Sequence, residues 1–123
     1  MVDSNIDLSI KDVKKAQIAL STVIKETPLD YSNTLSQLTD SQVYLKLENL
    51  QKTGSFKVRG AYWKMLNVDR SVAKSVVAAS AGNHAQGLAF SAKHLKIPAT
   101  VFMPCTTPTI KIQAVKQLGA KVE

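Results

Sequence analysis

The run Lys74-Ser75-Val76-Val77-Ala78-Ala79-Ser80-Ala81-Gly82-Asn83 decides the fold. Its first six residues become apolar without alternating, as a strand buried on both faces does. Ser80-Ala81-Gly82 then turns the chain into an alanine-rich helix over Asn83 to Leu95. Downstream the pattern repeats: Ala99 to Met103 predicts a strand, and Pro108 to Leu118 a helix that starts at proline and stops at Gly119. Ala120-Lys121-Val122-Glu123 opens a further strand. Upstream, Val43-Tyr44-Leu45-Lys46-Leu47 alternates like a strand, and Ser55 to Leu66 follows as a helix. Strands and helices alternating across short connections predict right-handed βαβ units. The expected fold class is α/β, a three-layer open parallel sheet with helices on both faces. Ahead of this rhythm, Ile10 to Leu20 reads as an amphipathic helix with Ser9 as its N-cap. Thr27-Pro28 halts helical propagation, and Tyr31 to Asp40 reads as a loop, alone or with a short helix.

The 123 residues, 45% of them hydrophobic, suit one domain with a modest core. No apolar run approaches the roughly 18 residues of a membrane span, and Met1 to Asn5 lacks the character of a signal peptide, so no membrane partner and a cytoplasmic location are expected. One cysteine, Cys105, allows no internal disulfide and reads as a small apolar filler. Without a second cysteine or a spaced His pair, no metal site is expected. The net charge of +7 raises the question of nucleic acid. From Arg70 onward seven basic residues face one acid, Glu123, but they are scattered singly with no recognition signature. The expectation is a solvated basic surface and no nucleic-acid partner.

Ligands of open parallel sheets bind beyond the carboxyl ends of the strands. Two junctions therefore matter. In the first, Gly54-Ser55-Phe56-Lys57 places a lysine in the opening turn of a helix, where the helix's positive end disfavours an ammonium and partial burial would do so further. A neutral amine able to attack a carbonyl is one outcome; an ordinary solvated lysine fits the same loop. In the second, Ser80-Ala81-Gly82-Asn83 runs straight into a helix and offers backbone N–H groups and a hydroxyl to an anion such as a carboxylate. Asn83 could donate to a bound group or cap the helix, and His84 has no neighbouring carboxylate in the sequence to make it a base. Neither loop carries a dinucleotide or Walker motif.

Leu47-Glu48-Asn49-Leu50-Gln51-Lys52-Thr53-Gly54-Ser55-Phe56-Lys57-Val58-Arg59-Gly60-Ala61, followed by Ser80-Ala81-Gly82-Asn83-His84-Ala85-Gln86-Gly87, resembles the threonine dehydratase (threonine ammonia-lyase) and serine racemase branch of the fold-type II, tryptophan synthase beta-like enzymes. The resemblance extends from about Asp12 to Glu123. It implies pyridoxal 5'-phosphate as cofactor, held by Lys57 as a Schiff base, with Lys57 also the base at the substrate Cα. It implies further that Asn83 meets the pyridine 3-oxygen and that Phe56 lies against the ring. Ser80, Ala81, Gly82, Asn83 and His84 would line the loop for the substrate carboxylate. Lys52, Thr53 and Gln86 match positions that contact an effector nucleotide in regulated members. The implied reaction turns an amino-acid substrate, L-threonine or L-serine, into a 2-oxoacid and ammonia, in a homo-oligomer when full length.

Sulfhydrylases and threonine synthases carry Asp where Val58 stands, which favours the dehydratases. Serine racemases carry a second serine at the position of Ala81; a methyl group transfers no proton, so racemisation by that route is expected to be weak. In the family fold, residues 1–42 correspond to an arm of the large domain and residues 43–123 to most of the small domain. The glycine-rich phosphate loop and the residue at the pyridine nitrogen lie beyond position 123. The expectation is therefore the N-terminal part of such an enzyme, inactive alone. The alternatives are a racemase-type member and a non-enzymatic module that binds an anion or nucleotide at Ser80 to Asn83.

Overall fold

The computed structural model describes residues 8–123. Helix α1 spans Ile10–Leu20. Its start follows the sequence expectation: the Asp12 carboxylate accepts from both the Ser9 N–H (3.1 Å) and the Ser9 hydroxyl (2.6 Å). Strand β1 (Leu29–Tyr31), helix α2 (Asn33–Thr39) and strand β2 (Tyr44–Lys46) come next, then a 3-10 turn at Glu48–Leu50. The rest is α3 (Lys57–Leu66), β3 (Val76–Ala79), α4 (Asn83–Leu95), β4 (Ala99–Phe102), α5 (Thr109–Gln117) and β5 (Lys121–Val122).

Strands β3, β4 and β5 form the expected parallel sheet in that order, with Val76 beside Ala99 and Val101 beside Val122. The strand expected first in this sheet is elsewhere. β2 pairs antiparallel with β1, Leu29 opposite Lys46 and Tyr31 opposite Tyr44, as a separate two-stranded ribbon. The alternation of Val43 to Leu47 is that of a strand, but alternation names no partner. The partner, Leu29–Tyr31, follows Thr27-Pro28 where no strand was expected, and its last residue opens the stretch read as a loop. What joins the pair is cross-strand contact, with the Tyr31 and Tyr44 rings edge to face at 5.2 Å.

Two successive right-handed crossovers moving the same way along a sheet put their helices on the same face. Val76, Ala78, Ala99, Val101 and Val122 accordingly point to one side. There they pack with Leu88, Ala89 and Ala92 of α4, Val115 of α5 and Met65 of α3. Val101 and Val115 are fully buried. Among the described residues the second face is bare: Val77 is 61% and Phe102 50% exposed. The expected α/β fold with its parallel sheet is present, and of the two helical layers expected the described residues supply one. Gly119, at φ +91°, ends α5 as its position in the sequence implies.

Candidate functional site

Gly54 adopts φ +67°, a conformation glycine enters without penalty, and the turn it makes buries both flanking hydroxyl residues, Thr53 and Ser55. That turn delivers the chain to Lys57, the first residue of α3. The Lys57 side chain is exposed rather than partly buried as expected, because the cleft it borders is open. Its amine has no hydrogen bond or ion pair among the described residues and lies 5.2 Å from the centroid of the Phe56 ring. The cleft, about 530 Å³, is lined by Phe56, Lys57, Lys64, Val77, His84 and Leu88 among others.

The second loop leaves the carboxyl end of β3. The Ser80 N–H donates to the Phe102 carbonyl (3.1 Å), continuing the sheet, and the Ser80 hydroxyl accepts from the Gly82 N–H (3.3 Å). Gly82 holds the N-cap position of α4, and no side chain caps it. Asn83, the first helical residue, is therefore not the cap that the sequence left as an option. The Ala85 N–H turns back to Gly82, while the N–H groups of Asn83 and His84 meet no acceptor among the described residues. They are the donors an anion at this helix end would use.

Gly87 brings the two loops together. A Cβ on this residue would stand 3.0 Å from both the Lys57 carbonyl carbon and the Val58 nitrogen, so α4 meets the first turn of α3 at backbone distance. A second contact holds the same turn from outside α4. Arg59 forks onto Glu48, Nε to Oε2 and Nη2 to Oε1, each 2.8 Å, and the Thr27 hydroxyl donates to the same carboxylate. The Arg59 guanidinium first, with the Thr27 hydroxyl and the charge of Lys46, pulls the Glu48 carboxyl down to about 2. Next to it, Gln51 is buried with its amide clasping Lys25: Oε1 accepts the Lys25 N–H and Nε2 donates to the Lys25 carbonyl, both at 2.9 Å. Sequence reasoning assigned no role to Gly87, Glu48, Arg59 or Gln51, although all four stand inside the quoted motifs. A glycine within an alanine-rich helix was the one available signal.

Of the expected site residues, Phe56, Lys57 and His84 share the cleft. Ser80, Ala81 and Gly82 are half-buried on the adjoining loop, and Asn83 is exposed at its end. The expected effector positions fall differently. The Lys52 amine lies 5.9 Å from the centroid of Phe90, one helical turn beyond the half-buried Gln86 on α4, and Phe90 stacks on His94 at 4.4 Å. Thr53 is buried, and its hydroxyl, like that of Ser55, has no partner. An unpaired amine at an open cleft, beside an exposed aromatic ring and a helix start with free N–H groups, fits the carbonyl end of an aromatic, anionic cofactor.

Comparison with known proteins bears on this arrangement. A family model described as pyridoxal-phosphate dependent enzyme matches residues 20–123. The L-threonine ammonia-lyase of Thermotoga maritima is 51% identical over 116 residues, which are 94% of this chain and 29% of that protein. Among solved structures, serine racemase from Dictyostelium discoideum superposes with a TM-score of 0.85 at 37% identity, over 94% of this chain and 38% of that one. The processed form of threonine deaminase isoform 2 from Solanum lycopersicum gives 0.78 at 38% identity, over 94% and 34%. This chain thus spans about a third of the length of such relatives, and it belongs to the family of pyridoxal-phosphate dependent enzymes.

Proposed function

We propose that these residues form the lysine-bearing part of an ammonia-lyase acting on L-threonine or L-serine. The observation that carries the reading is the backbone contact at Gly87, which sets the Lys57 turn against the helix that the Ser80–Asn83 loop begins. Lys57 would hold the cofactor at its carbonyl carbon, and its amine would take the proton from the substrate Cα. Phe56 lies along the ring and Asn83 donates to the 3-oxygen. The free N–H groups at the start of α4, with Ser80, Ala81, Gly82 and His84, receive the substrate carboxylate. Bound there, pyridoxal phosphate supplies the electron sink for charge developing at Cα. In the net reaction the Cα proton and the β-hydroxyl would leave together as water, and a water taken up in hydrolysis would give a 2-oxoacid and ammonia.

A racemase reading draws support from the likeness to serine racemase. Ala81 argues against it, having no proton to return on the face opposite Lys57. Lys52, Thr53 and Gln86 form the proposed effector-nucleotide position, where the exposed Lys52 is the side chain able to meet a phosphate. We assign residues 43–123 to the small domain and 1–42 to an arm of the large one, with the β1–β2 ribbon bridging that boundary. A cytoplasmic homo-oligomer completes the proposal; none of the described helices is long and apolar enough to cross a membrane.

Titration with pyridoxal phosphate, borohydride reduction and peptide mapping test the assignment. An adduct concentrated on Lys57 and lost in Lys57→Ala is expected. Labelling scattered over surface lysines would instead support a module that binds anions without chemistry.

A further inference from the structure

We propose that Glu48 is a positioning residue for Lys57, acting through Arg59 to fix the first turn of α3 and so the place from which the Lys57 amine reaches the cleft. The inference rests on the assignment of Lys57 made above and deepens it. Arg59 is two residues beyond Lys57, in the same helical turn, and both of its bonds to Glu48 are 2.8 Å long on separate oxygens. A planar fork on a carboxylate fixes orientation as well as distance, which a single contact does not.

Glu48 is itself held. Its side chain is 14% exposed, the Thr27 hydroxyl donates to Oε1, and the Lys46 amine is anchored on the Thr27 carbonyl. The clasp of Gln51 on Lys25 and the bond from the Leu47 N–H to the Pro28 carbonyl (3.1 Å) tie the same stretch together. A continuous set of bonds thus runs from residues 25–28 through Glu48 to the turn that carries Lys57. From α4, Gly87 holds that turn at backbone distance. A guanidinium in a first helical turn is disfavoured by the helix's positive end, and the Glu48 carboxylate removes that penalty where Arg59 sits. Here one bond set constrains the origin of the Lys57 side chain, and the amine itself is left unpaired.

The test uses the 123-residue chain, pyridoxal phosphate and borohydride, with adducts at Lys57 and Lys64 measured in the same digest. Both lysines line the cleft from α3, so their ratio reads the placement of Lys57 within one helix. Glu48→Gln and, independently, Arg59→Lys are expected to lower the Lys57-to-Lys64 ratio on the order of tenfold while far-UV circular dichroism stays native, as loss of a preorganised geometry does. Arg59→Lys keeps the positive charge and serves if Glu48→Gln does not fold. Val101→Ala, which weakens the core cluster to which neither Glu48 nor Arg59 belongs, is expected to lower stability and leave the ratio unchanged. An unchanged ratio in a folded Glu48→Gln or Arg59→Lys chain overturns the positioning role, as does an equal fall in Val101→Ala. A wild-type chain with no preference for Lys57 overturns the assignment of Lys57 itself, and the positioning role with it.

Discussion

Replacing Gly87 by alanine tests the contact on which the site is built. At an open helical position, Gly→Ala stabilises by about 0.5–1 kcal/mol, since the unfolded chain loses freedom and the helix gains a better former. At Gly87 the new methyl would stand 3.0 Å from two backbone atoms of the Lys57–Val58 peptide, where carbon contacts prefer about 3.5–4.0 Å. Neither helix can yield by a side-chain rotation, because the obstructing atoms are backbone. α3 must move off α4 by at least about half an ångström, and such overpacking costs about 1–3 kcal/mol. Set against the propensity gain, the net expectation is a loss of about 1–2 kcal/mol. Gly60 provides the internal control: it lies within α3, and a Cβ there meets nothing within 4 Å, so Gly60→Ala is expected to stabilise by about 0.5–1 kcal/mol. Urea denaturation followed by circular dichroism gives both values. The reasoning is refuted if Gly87→Ala stabilises the chain as much as Gly60→Ala does, since the two helices would then not touch at that peptide.

Three further outcomes follow from the same geometry. The Glu48 carboxyl is held near 2 in the folded chain against 4.5 when free, so its contribution is complete above pH 4.5 and is lost as pH falls from there towards 2. Wild type is expected to lose on the order of 2 kcal/mol across that window which Glu48→Gln does not lose; denaturant midpoints at pH 6 and pH 3 decide it, and parallel slopes for the two proteins count against the ion pair. Gln51→Ala removes the two-point clasp on Lys25 from a side chain only 4% exposed, with an expected cost of about 1–3 kcal/mol by thermal or chemical denaturation. Lys57→Ala, by contrast, deletes an exposed side chain without a polar partner and is expected to change stability by less than about 0.5 kcal/mol while removing the adduct at position 57 and leaving that at Lys64. A large loss of stability there would show that the amine is held by the fold rather than left free for chemistry.

Local pattern carried far in this protein. Ile10–Leu20 and Asn83–Leu95 have the boundaries their residues imply, and the parallel strands lie where buried apolar runs stand between turns. Capping, periodicity and turn chemistry act between residues close in the chain, so they are written in it. The motif around Lys57 and the Ser80–Gly87 loop likewise identified the family before any contact was known. Beyond the parallel pairing that the βαβ rhythm implies, the relations between distant segments lay outside the sequence's reach. That Val43–Leu47 pairs with Leu29–Tyr31 and not with the parallel sheet depends on which edge is free to meet it, and alternation is the same in either case. That helices cover one face of the sheet among the described residues follows from strand order. That Gly87 needs no side chain follows from a peptide thirty residues earlier lying against it. Glu48 and Arg59 are eleven residues apart in a stretch that reads only as a loop and a helix; folding turns them into the clamp beside Lys57. Residue type and spacing chose the chemistry, and tertiary packing chose where it stands, because distance between remote residues is set by the energy of the whole arrangement and by no local run of it.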